Sequence, residues 1–333
     1  MWYNEIGKDS DVVVSSRVRL ARNLKDTNFI NRLKIEDAEK ILKDVRAAVK
    51  DTDLDFIEMK DIDNLNKTCL VEKNLISPEF KKRNKGCGII LNKESTLSIM
   101  VNEEDHLRIQ SIKPGNDLNQ ALEECNKIDD ILDEKLNYAF DEQFGYLTSC
   151  PTNVGTGMRA SLMVHLPALT MTGYINQVLD MAGKIGLTIR GSYGEGSEPT
   201  GNIYQISNKS SLGVSEKDII ANVNAVAEKI IENERLARKQ LMKNPIVIED
   251  RLMRAYGVLT NAKILSSNEC INLLSDVKLG VELGIIDNID MKTINSLFVL
   301  TRPAMIQLEA KQEIDAGERD IKRAEIVKKH LGF

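Results

Sequence analysis

The sequence contains little that could bind a metal ion or build a disulfide framework. The cysteines number five among 333 residues, are scattered, and form no CxxC pair or Cys/His cluster. The histidines number three and are also far apart. Because zinc sites and disulfide-rich folds need closely spaced ligands or paired cysteines, we expect neither class here. The cysteines are Cys69, Cys87, Cys125, Cys150 and Cys270, and the histidines are His106, His165 and His330.

Long apolar runs and a strong charge of one sign are also missing. No apolar run approaches the ~20 residues of a membrane helix, and the N-terminus lacks the basic-then-apolar order of a signal peptide. The 45 basic and 50 acidic residues are well mixed and give a net charge of −5, which favours no nucleic-acid partner. With 42% hydrophobic and 29% charged residues, the composition is that of a soluble globular protein, which we expect in the cytoplasm.

Hydrophobic periodicity predicts both strands and helices in the first part of the chain. Apolar and polar residues alternate from Val14 within residues 11–23, which predicts a strand, and residues 88–102 read as a hairpin. Helical spacing of apolar residues predicts helices over residues 35–49 and 117–140. The length allows one large domain and one smaller one.

A domain boundary is predicted near Pro245. The helix that opens at Ser215, where Asp218 completes a capping-box pattern, is expected to end at this proline. Beyond it the chain has few glycines and reads as helical. The predicted helical segments are residues 249–256, 267–283, 291–300 and 304 to the end, and the predicted domains are residues 1–243 and 244–333.

Three irregular segments combine carboxylates, a cysteine and arginines. They are VNEEDHLRIQ at residues 101–110, CPTNVGTGMRA at 150–160 and RGSYGEGSEPTGNIYQISN at 190–208. Such a mixture suits a site that holds a polyphosphate with arginines and a cationic substrate with carboxylates. Taken singly, each segment has a plainer interpretation: a solvated acidic turn, a packed cysteine or a surface loop.

Together with SSRVRLARN at residues 15–23, these segments resemble the phosphagen (guanidino) kinases, and among them the bacterial enzymes that act on protein arginine. The resemblance covers roughly residues 11–240. It implies an α+β catalytic domain with an antiparallel sheet flanked by helices, of the glutamine-synthetase-like type, followed by a small α-helical domain. The implied activity is transfer of the ATP γ-phosphoryl group to a guanidino nitrogen, with Mg²⁺ carried by the nucleotide and no metal ligand from the protein.

The resemblance also implies individual roles. Glu104 and Glu195 would contact the guanidinium, and Cys150 would be the reactive cysteine beside it. The Gly155–Gly157 pair lacks the Lys-Ser/Thr of a phosphate-binding loop, so a Walker-type site is not supported. The implied ATP-binding residues are Arg17, Arg19, Arg108, Arg159 and Arg190.

A fifth motif lies near the C-terminus, in GERDIKRAEIV. Arg319 and Arg323 are four residues apart and would share a helical face, which in an exposed helix is an ordinary charged pattern. The RDxxRA pattern matches one that binds phosphoarginine in the bacterial protein-arginine kinases. The resemblance therefore implies an allosteric phosphoarginine site formed by Arg319, Asp320 and Arg323.

Several departures from the small-molecule kinases favour a protein substrate. Those enzymes carry an N-terminal helical domain of about a hundred residues that helps enclose the substrate, whereas this sequence begins almost at the catalytic domain. Leu91 stands where many of them have histidine, and the C-terminal helical domain is additional. The alternatives are a kinase for free arginine or another small guanidino compound, and a phosphoarginine-binding adaptor, which would not need both carboxylates.

The same resemblance implies partners and a setting. We expect protein substrates with exposed arginines, a zinc-binding activator of the McsA type, a Clp unfoldase that degrades the marked proteins, and a heat-shock repressor. It also implies a homodimer formed through the C-terminal domain. The setting would be stress response and protein quality control.

Overall fold

The structure, a computed structural model, describes residues 1–191 and 199–333, apart from the side chain of Arg190. Its strands are β1 (Val13–Arg22), β2 (Asp55–Glu58), β3 (Gly88–Leu91), β4 (Leu97–Val101), β5 (Leu107–Pro114), β6 (Phe140–Asp141), β7 (Gly145–Tyr146), β8 (Met158–His165), β9 (Leu187–Gly191) and β10 (Ile203–Asn208). Its α-helices are α1 (Ile35–Ala48), α2 (Asn64–Glu72), α3 (Pro78–Lys81), α4 (Leu118–Asp133), α5 (Pro167–Met171), α6 (Ile175–Lys184), α7 (Glu216–Leu241), α8 (Pro245–Asn261), α9 (Ser267–Glu282), α10 (Met291–Leu300), α11 (Pro303–Ala310) and α12 (Ala316–Leu331). Short 3₁₀ helices lie at Trp2–Asn4, Ile30–Arg32, Met59–Asp61 and Pro151–Asn153.

The central element is an eight-stranded sheet in the order β2-β3-β4-β5-β1-β8-β10-β9. Every neighbouring pair in it is antiparallel. Strand β1 lies in the middle, between β5 and β8, while β6 and β7 form a separate small hairpin. The expected antiparallel sheet flanked by helices is confirmed.

The two faces of β1 differ in chemistry. Val18 and Leu20 are fully buried in a core shared with α1, α4 and α7. Arg17 and Arg19, which alternate with them along the strand, are only half-buried. Successive side chains of a strand point to opposite faces, so the arginines belong to the other face. The alternation seen in the sequence thus separates a packed face from a charged one.

The C-terminal helices have a core of their own. It includes Leu259, Leu274, Leu297 and Val327, all buried, and reaches the sheet through Ile203 in β10. Polar contacts join the two parts as well. The ring of His165 lies 2.8 Å from the Ser275 hydroxyl, and Lys278 Nζ donates to the Ser10 carbonyl at 3.2 Å.

Some helix boundaries differ from those expected. The helix over residues 117–140 ends at Asp133, because the chain beyond it pairs with the segment after β1. There the Lys25 amide donates to Asn137 O at 2.8 Å and the Ala139 amide to Asn23 O at 2.7 Å.

Two further helices begin or divide at other places. Pro245 opens α8 at its first turn, after α7 has already ended at Leu241. The last expected helix is divided in two, because Lys311 adopts a left-handed conformation (φ 55°) that ends α11. Among the described residues, no helix is both long and apolar enough to cross a membrane.

Candidate functional site

The strand register brings four arginines onto one face of the sheet. Arg17 and Arg19 alternate along β1, and Arg19 lies directly opposite Arg159 in β8. On the other side of β1, Ala21 lies opposite Arg108 in β5. Because facing residues of antiparallel strands share a face, the four side chains form one row. We call this set, Arg17, Arg19, Arg108 and Arg159, the arginine row.

Electrostatics within the arginine row favour an anion. Burial, followed by the positive charges of Arg159 and Arg108, lowers the pKa of Arg17 to about 10. Burial and the same kind of repulsion lower the pKa of Arg19 well below its ordinary value. The Nε of Arg19 is buried and has no hydrogen-bond partner among the described residues. A bound polyphosphate would offset this repulsion and supply the missing acceptor.

The acidic segment forms a tight loop, residues 102–106, between β4 and β5. Asn102 has a left-handed backbone (φ 61°), and its amide donates to His106 O at 2.8 Å. Its side chain donates to the carbonyls of Ala38 and Gly86, at 3.1 and 2.7 Å. This carboxylate loop is therefore fixed at its base, and its acidic side chains have defined positions.

Within the carboxylate loop, only one glutamate is accessible to a substrate. Glu103 is buried and accepts from the Ser77 hydroxyl at 2.6 Å and the Glu104 amide at 2.8 Å, while its carboxylate lies 2.8 Å from Arg108. The side chain of Glu104 is 45% exposed and pairs with Arg108. Sequence reasoning identified Glu104 but missed Glu103 as its support, since consecutive acidic residues give no sign of which one is buried.

Arg108 joins the carboxylate loop to the arginine row. Burial tends to lower its pKa, but Glu103, Glu104 and Asp105 together outweigh that effect and raise it. The guanidinium of Arg108 therefore stays charged and lies at the border between the acidic and basic halves of the site. A guanidinium substrate at Glu104 would lie next to a phosphate held by the row.

Cys150 lies on a neighbouring loop, residues 148–157 before β8, which we call the cysteine loop. The thiol is half-exposed. It precedes the short helix Pro151–Asn153, and its Sγ is 3.0 Å from the Thr152 hydroxyl. The amide of Ser149 donates to Asp105 Oδ1 at 2.7 Å. The cysteine loop is thus tied to the carboxylate loop through the residue just before the thiol.

The glycine pair after Cys150 is required by packing. Gly157 has φ +65°, and a Cβ there would lie 2.5 Å from Ala21 O and 2.6 Å from an Arg22 side-chain nitrogen. Gly155 has φ +113°, and a Cβ there would lie 2.2 Å from Ser211 O. Gly157 therefore allows close contact of the loop with β1, and Gly155 allows close contact with the chain after β10. These contacts explain the Gly-x-Gly without a Walker-type role.

The third segment is only partly described. The backbone of Arg190 lies in β9, opposite Gln205 of β10. Glu195, the second carboxylate expected from the sequence, lies outside the described residues.

The C-terminal motif divides into two environments. Arg323 is 1% exposed and donates to the carbonyls of Thr301 and Leu265 at 2.8 and 2.7 Å, and it also pairs with Asp320. Arg319 is half-buried and donates to Ile314 O at 2.8 Å. Arg323 therefore connects the backbone at Thr301 and Leu265 to α12, whereas Arg319 and Asp320 remain partly accessible.

Residues 1–191 and 199–333 contain no group of three or more His, Cys, Asp or Glu side chains arranged to hold a metal ion. The charged side chains near the site are the arginines of the row and the carboxylates of the 102–106 loop.

The comparison with protein families agrees with this chemistry. Residues 36–237 match the model of the ATP:guanido phosphotransferase C-terminal catalytic domain. The chain belongs to the ATP:guanido phosphotransferase family. It is therefore an ATP-dependent enzyme that transfers a phosphoryl group to a guanidino nitrogen, which confirms the activity that the motifs implied. Residues 245–333 match a second model, that of the protein-arginine kinase McsB C-terminal domain.

Relatives within this guanidino phosphotransferase family match along the whole chain. A protein-arginine kinase of Halothermothrix orenii is 48% identical over 336 residues, covering 100% of this chain and 96% of the relative. Another from Brevibacillus brevis is 47% identical, covering 99% of this chain and 94% of that one.

A solved structure shows the same fold. It is the duplicated taurocyamine kinase from Schistosoma mansoni with bound transition state analog components, which matches with a TM-score of 0.61 and 26% identity. The match covers 67% of this chain and 33% of the duplicated enzyme.

Proposed function

We propose that this guanidino phosphotransferase acts on arginine side chains of proteins. The observation that carries the proposal is the ion pair between the partly exposed Glu104 and Arg108, which brings a carboxylate next to the arginine row. The full-length similarity to enzymes named protein-arginine kinase supports a protein as the substrate. So does the similarity of residues 245–333 to the McsB C-terminal domain.

The carboxylates handle the substrate. A guanidinium is positive and a poor nucleophile because its pKa exceeds ~12. Glu104 would hold its planar fork and turn one nitrogen toward the γ-phosphate, with Glu195 as the second carboxylate. One of the two would accept the proton as the N–P bond forms.

The arginines handle the phosphoryl group. Arg17, Arg19, Arg108, Arg159 and Arg190 would bind ATP and neutralise charge that develops on the transferring oxygens. Nucleotide-borne Mg²⁺ would add to this neutralisation. Because the arginines of the row repel one another, nucleotide phosphates would be attracted to the row.

Cys150 is proposed to lie beside the guanidino nitrogens. Its half-exposed thiol and its link through Ser149 to Asp105 place it one residue away from the anchor of the carboxylate loop.

The remaining assignments extend the proposal to the whole chain. Residues 1–243 would form the catalytic domain and residues 244–333 a domain for dimerisation and phosphoarginine binding by Arg319, Asp320 and Arg323. The proposed partners are an McsA-like activator, a Clp unfoldase and a heat-shock repressor, in the cytoplasm. The proposed role is to mark proteins for degradation during stress.

The proposal is tested by incubating the chain with ATP, Mg²⁺ and a generic unfolded protein, followed by mass spectrometry under conditions that keep acid-labile phosphate. Phosphorylated arginine on the substrate protein is the expected result. Binding of phosphoarginine without any transfer would instead favour the adaptor. Transfer only to free guanidino compounds would favour the small-molecule kinase.

A further inference from the structure

We propose that Asn23 is a positioning residue that holds the carboxylate loop and the cysteine loop in one arrangement. Asn23 follows β1 and is not among the residues that would touch either substrate. The inference rests on the proposed function, because it concerns the placement of Glu104 and Cys150 in that reaction. It concerns geometry within the site and leaves the identity of the protein substrate open.

The side chain of Asn23 is 1% exposed and uses all of its hydrogen-bonding groups. Its Nδ2 donates to Asp105 Oδ1 at 2.7 Å and to Leu147 O at 3.0 Å, and its Oδ1 accepts from the His106 amide at 2.9 Å. Two of these partners lie in the carboxylate loop and the third lies just before the cysteine loop. A buried amide with its donors and acceptor fixed in this way has one allowed orientation.

Asp105 extends this arrangement to both reactive groups. It is 0% exposed, and the same Oδ1 also accepts from the Ser149 amide at 2.7 Å. Its Oδ2 is buried without a hydrogen-bond partner among the described residues and lies 3.7 Å from Arg108. The orientation of this carboxylate therefore depends on its Oδ1 contacts. Glu104 precedes Asp105, and Cys150 follows Ser149. The hydrogen bonds to Asp105 Oδ1 therefore fix the distance between the Glu104 carboxylate and the Cys150 thiol.

Asn23 also links this pair to the phosphate half of the site. It lies four residues after Arg19 on the same chain segment, and its backbone carbonyl accepts from the Ala139 amide at 2.7 Å. The segment of β1 and Asn23 therefore connects the arginine row to both the carboxylate loop and the cysteine loop. Misplacing reacting groups by about 1 Å can cost on the order of 10²-fold in rate, so a residue in this position acts on kcat.

The test is the isosteric Asn23→Asp variant, which removes both side-chain donors and places a carboxylate against Asp105. We expect kcat for protein-arginine phosphorylation to fall on the order of 10²-fold, with KM for ATP changed less than about twofold, because the arginine row keeps its pairing within the sheet. In the wild-type enzyme, ATP and substrate protein should slow the alkylation of Cys150 by iodoacetamide. In the variant, the alkylation rate should change and this protection should be lost.

The matched control is Asn202→Asp, an isosteric change at an amide that lies near the C-terminal helices. Among the described residues, its side chain donates to Ser275 Oγ at 2.8 Å and has no other side-chain hydrogen bond. It should keep wild-type kcat and the wild-type alkylation pattern. Thermal unfolding of both variants is measured in parallel. If Asn23→Asp does not fold, Asn23→Ala, which removes the amide without adding a charge, undergoes the same measurements.

Three outcomes overturn the inference: wild-type kcat in the Asn23 variant, an unchanged Cys150 alkylation pattern, or equal losses in ATP binding and kcat that follow the loss of folded protein. Failure of the proposed function looks different. The wild-type enzyme would then phosphorylate no protein arginine, and the alkylation measurements alone would decide the role of Asn23.

Discussion

At the scale of single residues, three adjacent acidic side chains have three different environments. Glu103 is buried against Ser77 and Arg108, Glu104 is 45% exposed, and Asp105 is 0% exposed. In the sequence these residues look alike, and only the family resemblance singled out Glu104. Burial and hydrogen bonding give a physical reason for that choice, because a carboxylate with free surface can meet a substrate cation.

Glu104→Gln should lower turnover by about 10²–10⁴-fold, the usual cost of losing a general base. The fold should persist because the side chain is 45% exposed. Nucleotide binding should persist because all four arginines of the row are kept and Arg108 retains its ion pair with Glu103. Steady-state kinetics and fluorescence titration with a nucleotide analogue measure the two effects. Glu79→Gln, at an exposed ion pair with Lys82, is the control. Near-normal turnover in Glu104→Gln would remove this residue from the mechanism.

Cys150 should be the thiol that reacts first with an alkylating agent. Cys69, Cys87, Cys125 and Cys270 are buried, and burial raises the pKa of each of these thiols, to about 11 for Cys69 and Cys87. A buried protonated thiol reacts slowly. Limited iodoacetamide labelling followed by peptide mapping tests this. Early labelling at any of the other positions, with Cys150 unmodified, would contradict the account.

At the scale of elements, the motif in α12 has residues in two different environments. Arg323 satisfies the carbonyls of Thr301 and Leu265, so it joins the end of α10 and the loop before α9 to α12. Arg319 and Asp320 lie nearer the surface on the preceding turn. The spacing in the sequence put Arg319 and Arg323 on one helical face but could not show that one of them would be buried.

Arg323→Ala should therefore destabilise the protein, by on the order of 3 kcal/mol, because it leaves buried carbonyls and Asp320 without their partner. Arg319→Ala with Asp320→Ala should weaken phosphoarginine binding. It should lower the unfolding temperature less than Arg323→Ala does, because Arg323 keeps its hydrogen bonds to the carbonyls of Thr301 and Leu265 although it loses Asp320. Calorimetric titration with phosphoarginine and thermal unfolding separate the two effects. Unchanged phosphoarginine affinity in the double variant would leave this helix with a structural role only.

The contact between α9 and the chain before β1 predicts a pH effect. Lys278 is fully buried, and burial lowers its pKa from 10.5 to about 8. Below pH 8 the lysine is charged in both states, so burial destabilises the folded state. Between about pH 8 and 10.5 the folded state releases its proton first, the unfolded state binds more protons, and the unfolding free energy rises with pH.

In Lys278→Met this contribution should disappear, since the residue no longer titrates. Denaturant unfolding from pH 7.5 to 10 gives the unfolding free energies of both proteins. The wild-type value minus the variant value should rise by up to about 3 kcal/mol across that range. A difference that stays constant or falls with pH would mean that the pKa of Lys278 is not lowered in the folded state.

At the scale of the whole molecule, local patterns predicted single strands and the helical C-terminal part, whereas the complete sheet and the family were predicted from the resemblance of the motifs. Alternation around Arg17 marks a two-sided strand, and the capping box at Ser215 marks the start of α7. The links within the site were not predictable. The contacts of Asn23 with Asp105 and Leu147 join residues 82 and 124 positions apart, and no local pattern encodes the register that brings such segments together.

The end of one helix is also set by long-range contacts that local patterns do not encode. The helix expected over 117–140 ends at Asp133 because residues 137–139 find backbone partners near Asn23 and Lys25. Apolar spacing alone predicts a longer helix there. Tertiary hydrogen bonds override local propensity at that point, and they do so beside the site.

The proposed reaction of this enzyme, phosphorylation of arginine in proteins, is tested by comparing initial rates on an unfolded protein substrate and on free arginine at equal guanidinium concentration. ATP and Mg²⁺ are saturating, and Glu104→Gln is the inactive control. We expect phosphoryl transfer to the protein by the wild-type enzyme, none by the variant, and little transfer to free arginine. Faster phosphorylation of free arginine than of the protein would show that proteins are not the substrate.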